Sequence, residues 1–369
     1  MVAVPVDDDG LDGAHDLIDA LAPLYTTLDG IRPGQRFRPT DPTEVAHAQA
    51  GLSGLTVAAN EDADGMEASE QFGSARTIPT VTAIDAGVVR LGNTEDGMIA
   101  AVRGAAITYR ADGGVTLKTV RPGLVYVCRD NRLELFHRMG EAFNRPGFFV
   151  HLDDDDVPTE LKVELGPHDH RTIDRLRNLV ERKLQEYVIS TAPPGVVLID
   201  GALTLRTFDT PGPYMKRLAE IAEERGISLV AVAKKTGLAV NGVDITMLLG
   251  DGARPNRRKI TRAVRQQQAG ERFLGDLYVA RFSPGGDTYR VDVAPAAGRF
   301  SAHVFDEMYA ACRFRNGYPE PLLTAHIHSY MTPPVVAQLQ AHAVAAHGLV
   351  VKPDINLGPI FAPFGGRYK

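Results

Sequence analysis

The hydrophobic pattern changes character several times along the chain. Over about Gly13 to Leu28 the apolar positions Leu17, Ile18, Leu21 and Leu24 recur with helical spacing and predict an amphipathic helix. The polar stretches IRPGQRFRPTDPT and NEDADGMEASEQ follow and read as loop or linker. From residue 79 the pattern turns strand-like. PTVTAIDAGVVRLG, MIAAVRGAAITYRADGG and VTLKTVRPG are rich in Val, Thr and Ile and are broken by turn-length gaps, which predicts a three-strand antiparallel meander. Residues 124–150 are mixed, with a short helix near Leu133–Met139. From about Pro167 to Ile189 a long helix is predicted, because Ile173, Leu176, Leu179, Val180, Leu184, Tyr187 and Val188 share one side. GVVLIDG (strand), PYMKRLAEIAEERG (helix) and ISLVAVAKKTG (strand) then form a β-α-β unit. DLYVARFS and DTYRVDVAP predict a hairpin. A helix over about Pro334 to His347, a strand GLVVKPD and a Gly/Pro-rich tail close the chain.

Composition narrows the class. With 369 residues, 44% hydrophobic and 23% charged, the chain can bury a large core. A net charge of −6 excludes a general polybasic coating but allows a local basic groove. The two cysteines, Cys128 and Cys312, lack metal-ligand spacing and suit a reducing cytoplasm. The opening MVAVPVDDDGLDG has neither the basic nor the apolar region of a signal peptide. No apolar run approaches the roughly 18 residues of a membrane span, so a cytoplasmic protein with no membrane contact is expected.

A meander, a long helix, a parallel strand, then another helix and strand is the chain order of an RNase H-like fold. The expected architecture is therefore α/β: a mixed sheet of antiparallel meander plus parallel strands, flanked by helices. Residues 1–78 form an N-terminal helical and linker region, and 79–369 the main domain. Asp85 and Asp200 both follow apolar runs within strand patterns; in that order the two strands are parallel neighbours, about 5 Å apart, so their carboxylates converge. Two such charges repel and desolvate badly, and a divalent cation relieves both costs. Oxygen ligands favour Mn²⁺ or Mg²⁺. Gly201 would turn the chain after Asp200 and leave room beside a metal. The preceding helix offers a third acid. Glu181 lies roughly 95° from the centre of the apolar face and Glu186 roughly 125° away on the other side, so Glu181 sits nearer the sheet and Glu186 is the alternative. The run HLDDDDVP reads as a solvated loop, since Ca²⁺ loops need spaced ligands. HDH at 168–170 reads as a helix-start feature, and His342 and His347 as structural.

Four blocks in order, TAIDAG, VVLIDGALT, LVAVAKKTG and GYPEPLLTAH, resemble the NurA domain, the nuclease that works with the HerA hexameric ATPase in DNA end processing. The resemblance runs from about residue 79 to the C-terminus. It implies metal-coordinating roles for Asp85 and Asp200 with Glu181, a ligand or proton-transfer role for His326, and a place near phosphate or the leaving group for Lys234. His328 ranks second to His326, because it shares that face only in an extended segment. The first block commonly reads Asp-Gly-Ser in the family and here reads Asp85-Ala86-Gly87, which puts a serine hydrogen bond in doubt. The resemblance further implies a Mn²⁺- or Mg²⁺-dependent DNA exonuclease and single-strand endonuclease with two ions. It also implies a homodimer acting on DNA ends and single-stranded DNA beside a HerA-type translocase. The chain has no Walker-type run of its own, so any motor is a partner. Another RNase H-like nuclease, such as a ribonuclease or resolvase, and a non-catalytic nucleic-acid-binding subunit are the competing readings.

The stretch 254–265, RPNRRKITRAVR, holds six basic side chains. Arg257, Arg258, Lys259, Arg262 and Arg265 could line one side of a helix or its lead-in loop and contact DNA phosphates. Tyr318 could stack on a base, or be a buried tyrosine before Pro319.

Overall fold

The computed structural model describes residues 30–42, 66–145, 170–205, 209–240, 243–249, 254–267 and 273–352; the side chains of His170, Arg171 and residues 265–267 are not among them. The helix expected over Gly13 to Leu28, the four-aspartate run and the C-terminal tail lie outside the described residues.

In chain order the strands are β1 (Arg36–Pro39), β2 (Glu70–Gln71), β3 (Val81–Thr94), β4 (Gly97–Tyr109), β5 (Val115–Thr119), β6 (Gly123–Cys128), β7 (Gly195–Asp200) and β8 (Ile227–Ala233). They continue as β9 (Ala239–Val240), β10 (Val243–Asp244), β11 (Asn256–Lys259), β12 (Asp276–Arg281), β13 (Thr288–Ala294), β14 (Phe314–Arg315), β15 (Tyr318–Pro319) and β16 (Val350–Val351). The helices are α1 (Arg132–Ala142), α2 (His170–Thr191), α3 (Gly212–Glu224), α4 (Thr261–Gln267), α5 (Ser301–Ala311), α6 (Glu320–Ser329) and α7 (Pro333–His347).

One large mixed sheet has the order β16-β1-β3-β7-β8-β13-β12-β11-β2, with β4 on the other edge of β3. β3 and β7 are parallel, as are β7 and β8, while β3–β4 and the β12–β13 hairpin are antiparallel. This is the RNase H-like arrangement. The outer edge of β4 is shared: its second half pairs with β5 and its first half with β6. β1 and β2 fall in stretches whose polar pattern reads as loop or linker; they become strands by pairing with β3 and β11, and β6, α5 and α6 carry no element prediction in the sequence. The basic stretch is strand β11 followed by α4, not a single helical face. Among the described residues no helix is long and apolar enough to cross a membrane.

Both faces of the central strands are covered, which is why β3 and β7 are buried almost throughout rather than alternating. Ile84, Ala86 and Ile199 pack with Leu176, Val180 and Leu184 of α2 and with Leu218 of α3. Val81, Ala83, Val196 and Leu198 face the other way, against Phe305 of α5 and Leu322 and Ala325 of α6. Side chains alternate along a strand, so Asp85 and Asp200 both belong to the α6 side. β7 pairs with β3 only as far as Ile84↔Ile199, whereas β3 runs on and is rejoined on that edge by β1 at Gly92–Thr94. Asp85 therefore sits where the partner strand stops, the kind of opening in which α/β sheets bind ligands.

Candidate active site

Register puts Asp85 and Asp200 next to each other, one step beyond the last β3–β7 pair, Ile84↔Ile199. Each carboxylate is held from outside the strands. Asp85 Oδ2 accepts from His326 Nδ1 at 2.8 Å and from Ser329 Oγ at 2.7 Å, both on α6. Asp200 Oδ2 accepts from Lys234 Nζ at 2.8 Å, from the residue that follows β8. The Lys234 ammonium also lies 4.5 Å from the ring centroid of Tyr318. The Tyr318 ring is buried, and its hydroxyl has no hydrogen-bond partner among the described residues. Burial, with the nearby Asp200 carboxylate, lifts that phenol well above its ordinary range. The hydroxyl makes no bond of ordinary hydrogen-bond geometry, yet it lies close enough to Asp200 for that carboxylate to hold its proton.

Glu181 approaches from the opposite layer. It is buried on α2, and Gln185 Nε2 donates to its Oε1 at 3.0 Å. Desolvation pushes its pKa up to about 7; Arg182 and Arg177 oppose the shift, while Asp85 and Asp200 add to it. Of the two helix acids, Glu181 is the one the aspartates feel. Glu186 is committed elsewhere, to Lys183 Nζ at 2.8 Å and to the Tyr214 hydroxyl at 2.7 Å. The hydrogen bond that His326 donates to Asp85 raises the His326 pKa against the cost of burial. With Nδ1 donating to Asp85, Nε2 is the nitrogen left for a substrate or a metal. His328 lies about 200° further round the helix; burial and the neighbouring Arg103 lower its pKa.

The three carboxylates form an oxygen-rich donor set around a desolvated acid, and that chemistry fits a hard divalent cation. Among the described residues, however, no three acidic, histidine or cysteine side chains stand together at ligating distance. His326 and Ser329 occupy Asp85, and Lys234 supplies the positive charge on Asp200.

A protein-family model, the NurA domain, matches residues 79–328. The chain belongs to the NurA family. With that membership it belongs to the nucleases. Among solved structures, the NurA nuclease from Sulfolobus solfataricus is similar at 14% identity, covering 75% of this chain and 88% of that one, with a TM-score of 0.47. Ciona intestinalis endonuclease V, bound to DNA containing an inosine followed by a ribo-adenosine, is similar at 11% identity, covering 85% and 96%, with a TM-score of 0.35. A search of the curated proteins returned no match.

The departure from the NurA Asp-Gly-Ser block has a structural counterpart. The serine slot is Gly87, and a Cβ there would stand 2.4 Å from Ser329 O. The missing side chain lets the end of α6 press onto β3, and Ser329 delivers a hydroxyl to Asp85 from that helix. Gly201 has φ +124°, and an added Cβ would meet nothing within 4 Å. It is required for the turn, not to leave room beside the carboxylates.

The basic residues separate. Arg257 is buried, with Nη1 donating to Asp306 Oδ1 at 2.6 Å, and the Phe305 ring lies against its guanidinium. That pairing removes it from any DNA surface. Lys259 pairs with Asp276 at 3.0 Å. Arg258 is half-buried and Arg262 exposed. Tyr318, enclosed under Lys234, presents no face on which a base could stack.

Proposed function

We propose that this NurA-family protein hydrolyses phosphodiester bonds in DNA, as an exonuclease and single-strand endonuclease dependent on Mn²⁺ or Mg²⁺. The observation that carries the reading is the in-register pair Asp85 and Asp200, backed by the desolvated Glu181. Asp85, Asp200 and Glu181 would hold the cations, with His326 Nε2 as a further ligand or a proton donor. Bound divalent ions, two in such a site, supply an activated water and neutralise charge on the attacking and leaving oxygens.

The chain's own residues have separate tasks. Ser329 and His326 fix one oxygen of Asp85, Oδ2, and leave Oδ1 without a bond from either. Lys234, half-exposed on a flexible stem and paired with Asp200, would be free to reach a substrate phosphate if a cation took over that carboxylate. His326, held by Asp85 in one orientation, presents Nε2 to a leaving oxygen. The Tyr318 hydroxyl is placed to donate to an oxygen near Asp200.

The same reading extends to context: a cytoplasmic homodimer acting on DNA ends, fed by a HerA-type hexameric translocase. Support for that part is the family membership and the lack of a Walker-type run in the chain. Calorimetry with Mn²⁺ tests the metal site. Binding by the wild type that disappears in Asp200→Ala is expected; a wild type that takes up no Mn²⁺ overturns it.

A further inference from the structure

A cleft of about 980 Å³ opens beside the acid pair. Lys234 lies in its wall and touches Asp200, and Tyr318 borders it as well, so the cleft runs into the catalytic opening. Its other walls come from the turn at Thr246 and Met247, the β12–β13 hairpin, the β14–β15 hairpin and α6. The volume is at the upper end for small-ligand pockets.

Its chemistry is mixed in a particular way. Lys234, Arg281 and Arg315 line it against one acid, Asp287, on a chain whose net charge is −6. Arg281 is built in: its guanidinium bonds Gly286 O at 3.1 Å and Thr288 Oγ1 at 3.3 Å, fixing the hairpin. Arg315 is exposed and makes no ion pair among the described residues. It immediately precedes Asn316 (φ 52°) and Gly317 (φ 77°), the two left-handed residues of a tight hairpin turn. Such a turn holds the arginine on a rigid base. The same cleft carries two exposed apolar side chains, Met247 at 71% and Ile327 at 55% exposure. A cationic cleft with bare apolar surface suits a ligand that has an anionic backbone and uncovered flat faces. Unpaired nucleic acid has both, whereas a duplex hides its base faces.

We propose that this cleft is the subsite for the unpaired strand flanking the cleaved phosphate, with Arg315 on a phosphate and Met247 and Ile327 against base faces. The proposal rests on the nuclease reading above and names where its substrate lies. It is tested by fluorescence anisotropy of a labelled oligothymidylate in EDTA, over a salt series, with wild type, Arg315→Ala and Met247→Ser. Both positions are exposed, so the fold is kept. Arg315→Ala should weaken binding and flatten the log–log salt slope by about 0.7. Met247→Ser should weaken binding about fivefold or more with the slope unchanged. Hydrolysis of thymidine 5′-p-nitrophenyl phosphate, which has no flanking strand, should be unaltered in both. Wild-type strand affinity in both variants overturns the cleft, as does equal dependence on Arg315 for a blunt duplex. Arg315-dependent strand binding in a protein that hydrolyses neither substrate leaves the cleft standing and removes the nuclease reading instead.

Discussion

Gly87→Ala is the substitution in which packing and chemistry are most tightly joined. Gly87 has no left-handed backbone requirement, so the effect comes from contact alone. The added Cβ would stand 2.4 Å from Ser329 O and 3.1 Å from its carbonyl carbon, where ordinary contact begins at 3.4 Å. The neighbour is helix backbone, so the end of α6 must retreat by about 1 Å, an overpacking cost of about 1–3 kcal/mol. The bonds from Ser329 and His326 to Asp85, now 2.7 and 2.8 Å, would stretch to roughly 3.7 Å and cease to be hydrogen bonds. A misplacement of that size in a catalytic arrangement costs about 10²-fold in rate. Urea denaturation and cleavage of an end-labelled single strand measure the two effects side by side. A variant with wild-type stability and wild-type cleavage would refute the claim that this contact seats the site.

Arg257→Ala should cost about 3–5 kcal/mol in denaturant unfolding, because it strands Asp306 in a buried site. Strand affinity of the folded variant should be unchanged; a loss below about 1 kcal/mol, typical of a surface pair, would contradict the buried pairing. In the metal-free protein His326 should titrate above the ordinary histidine range by NMR, and Asp85→Asn should bring it down, since the Asp85 hydrogen bond is the main cause. The sign for stability follows: a raised folded-state pKa stabilises at low pH, so His326→Ala should cost most below about pH 6.5 and progressively less as pH rises through the raised value.

The acids were legible because each follows an apolar run within a strand pattern, and period-two alternation with parallel pairing dictates a shared face. Glu181 was legible from its angle on α2, and the bonds of Glu186 to Lys183 and Tyr214 show why the alternative is not used. His326 was carried by its block. Ser329 was not foreseeable: its hydroxyl arrives from the end of a ten-residue helix that no pattern announced, 244 residues from Asp85. Arg257 misled for a related reason. A run of basic residues shows its charge but not its partner, and Asp306 lies 49 positions on. Strand alternation in β11 then divides side chains that a helix would have kept together. Tyr318 followed the buried alternative, and the sequence held no sign that its hydroxyl would face Asp200.

The central claim is that Asp85 and Asp200 carry the hydrolysis together. The most direct test is the cleavage rate of end-labelled DNA with Mn²⁺ by the wild type, Asp85→Asn and Asp200→Asn, each checked for an intact fold by circular dichroism, with EDTA as control. Loss of cleavage by about 10²-fold or more in both variants, and in the wild type under EDTA, is the predicted result. Cleavage at the wild-type rate by either variant would contradict the account.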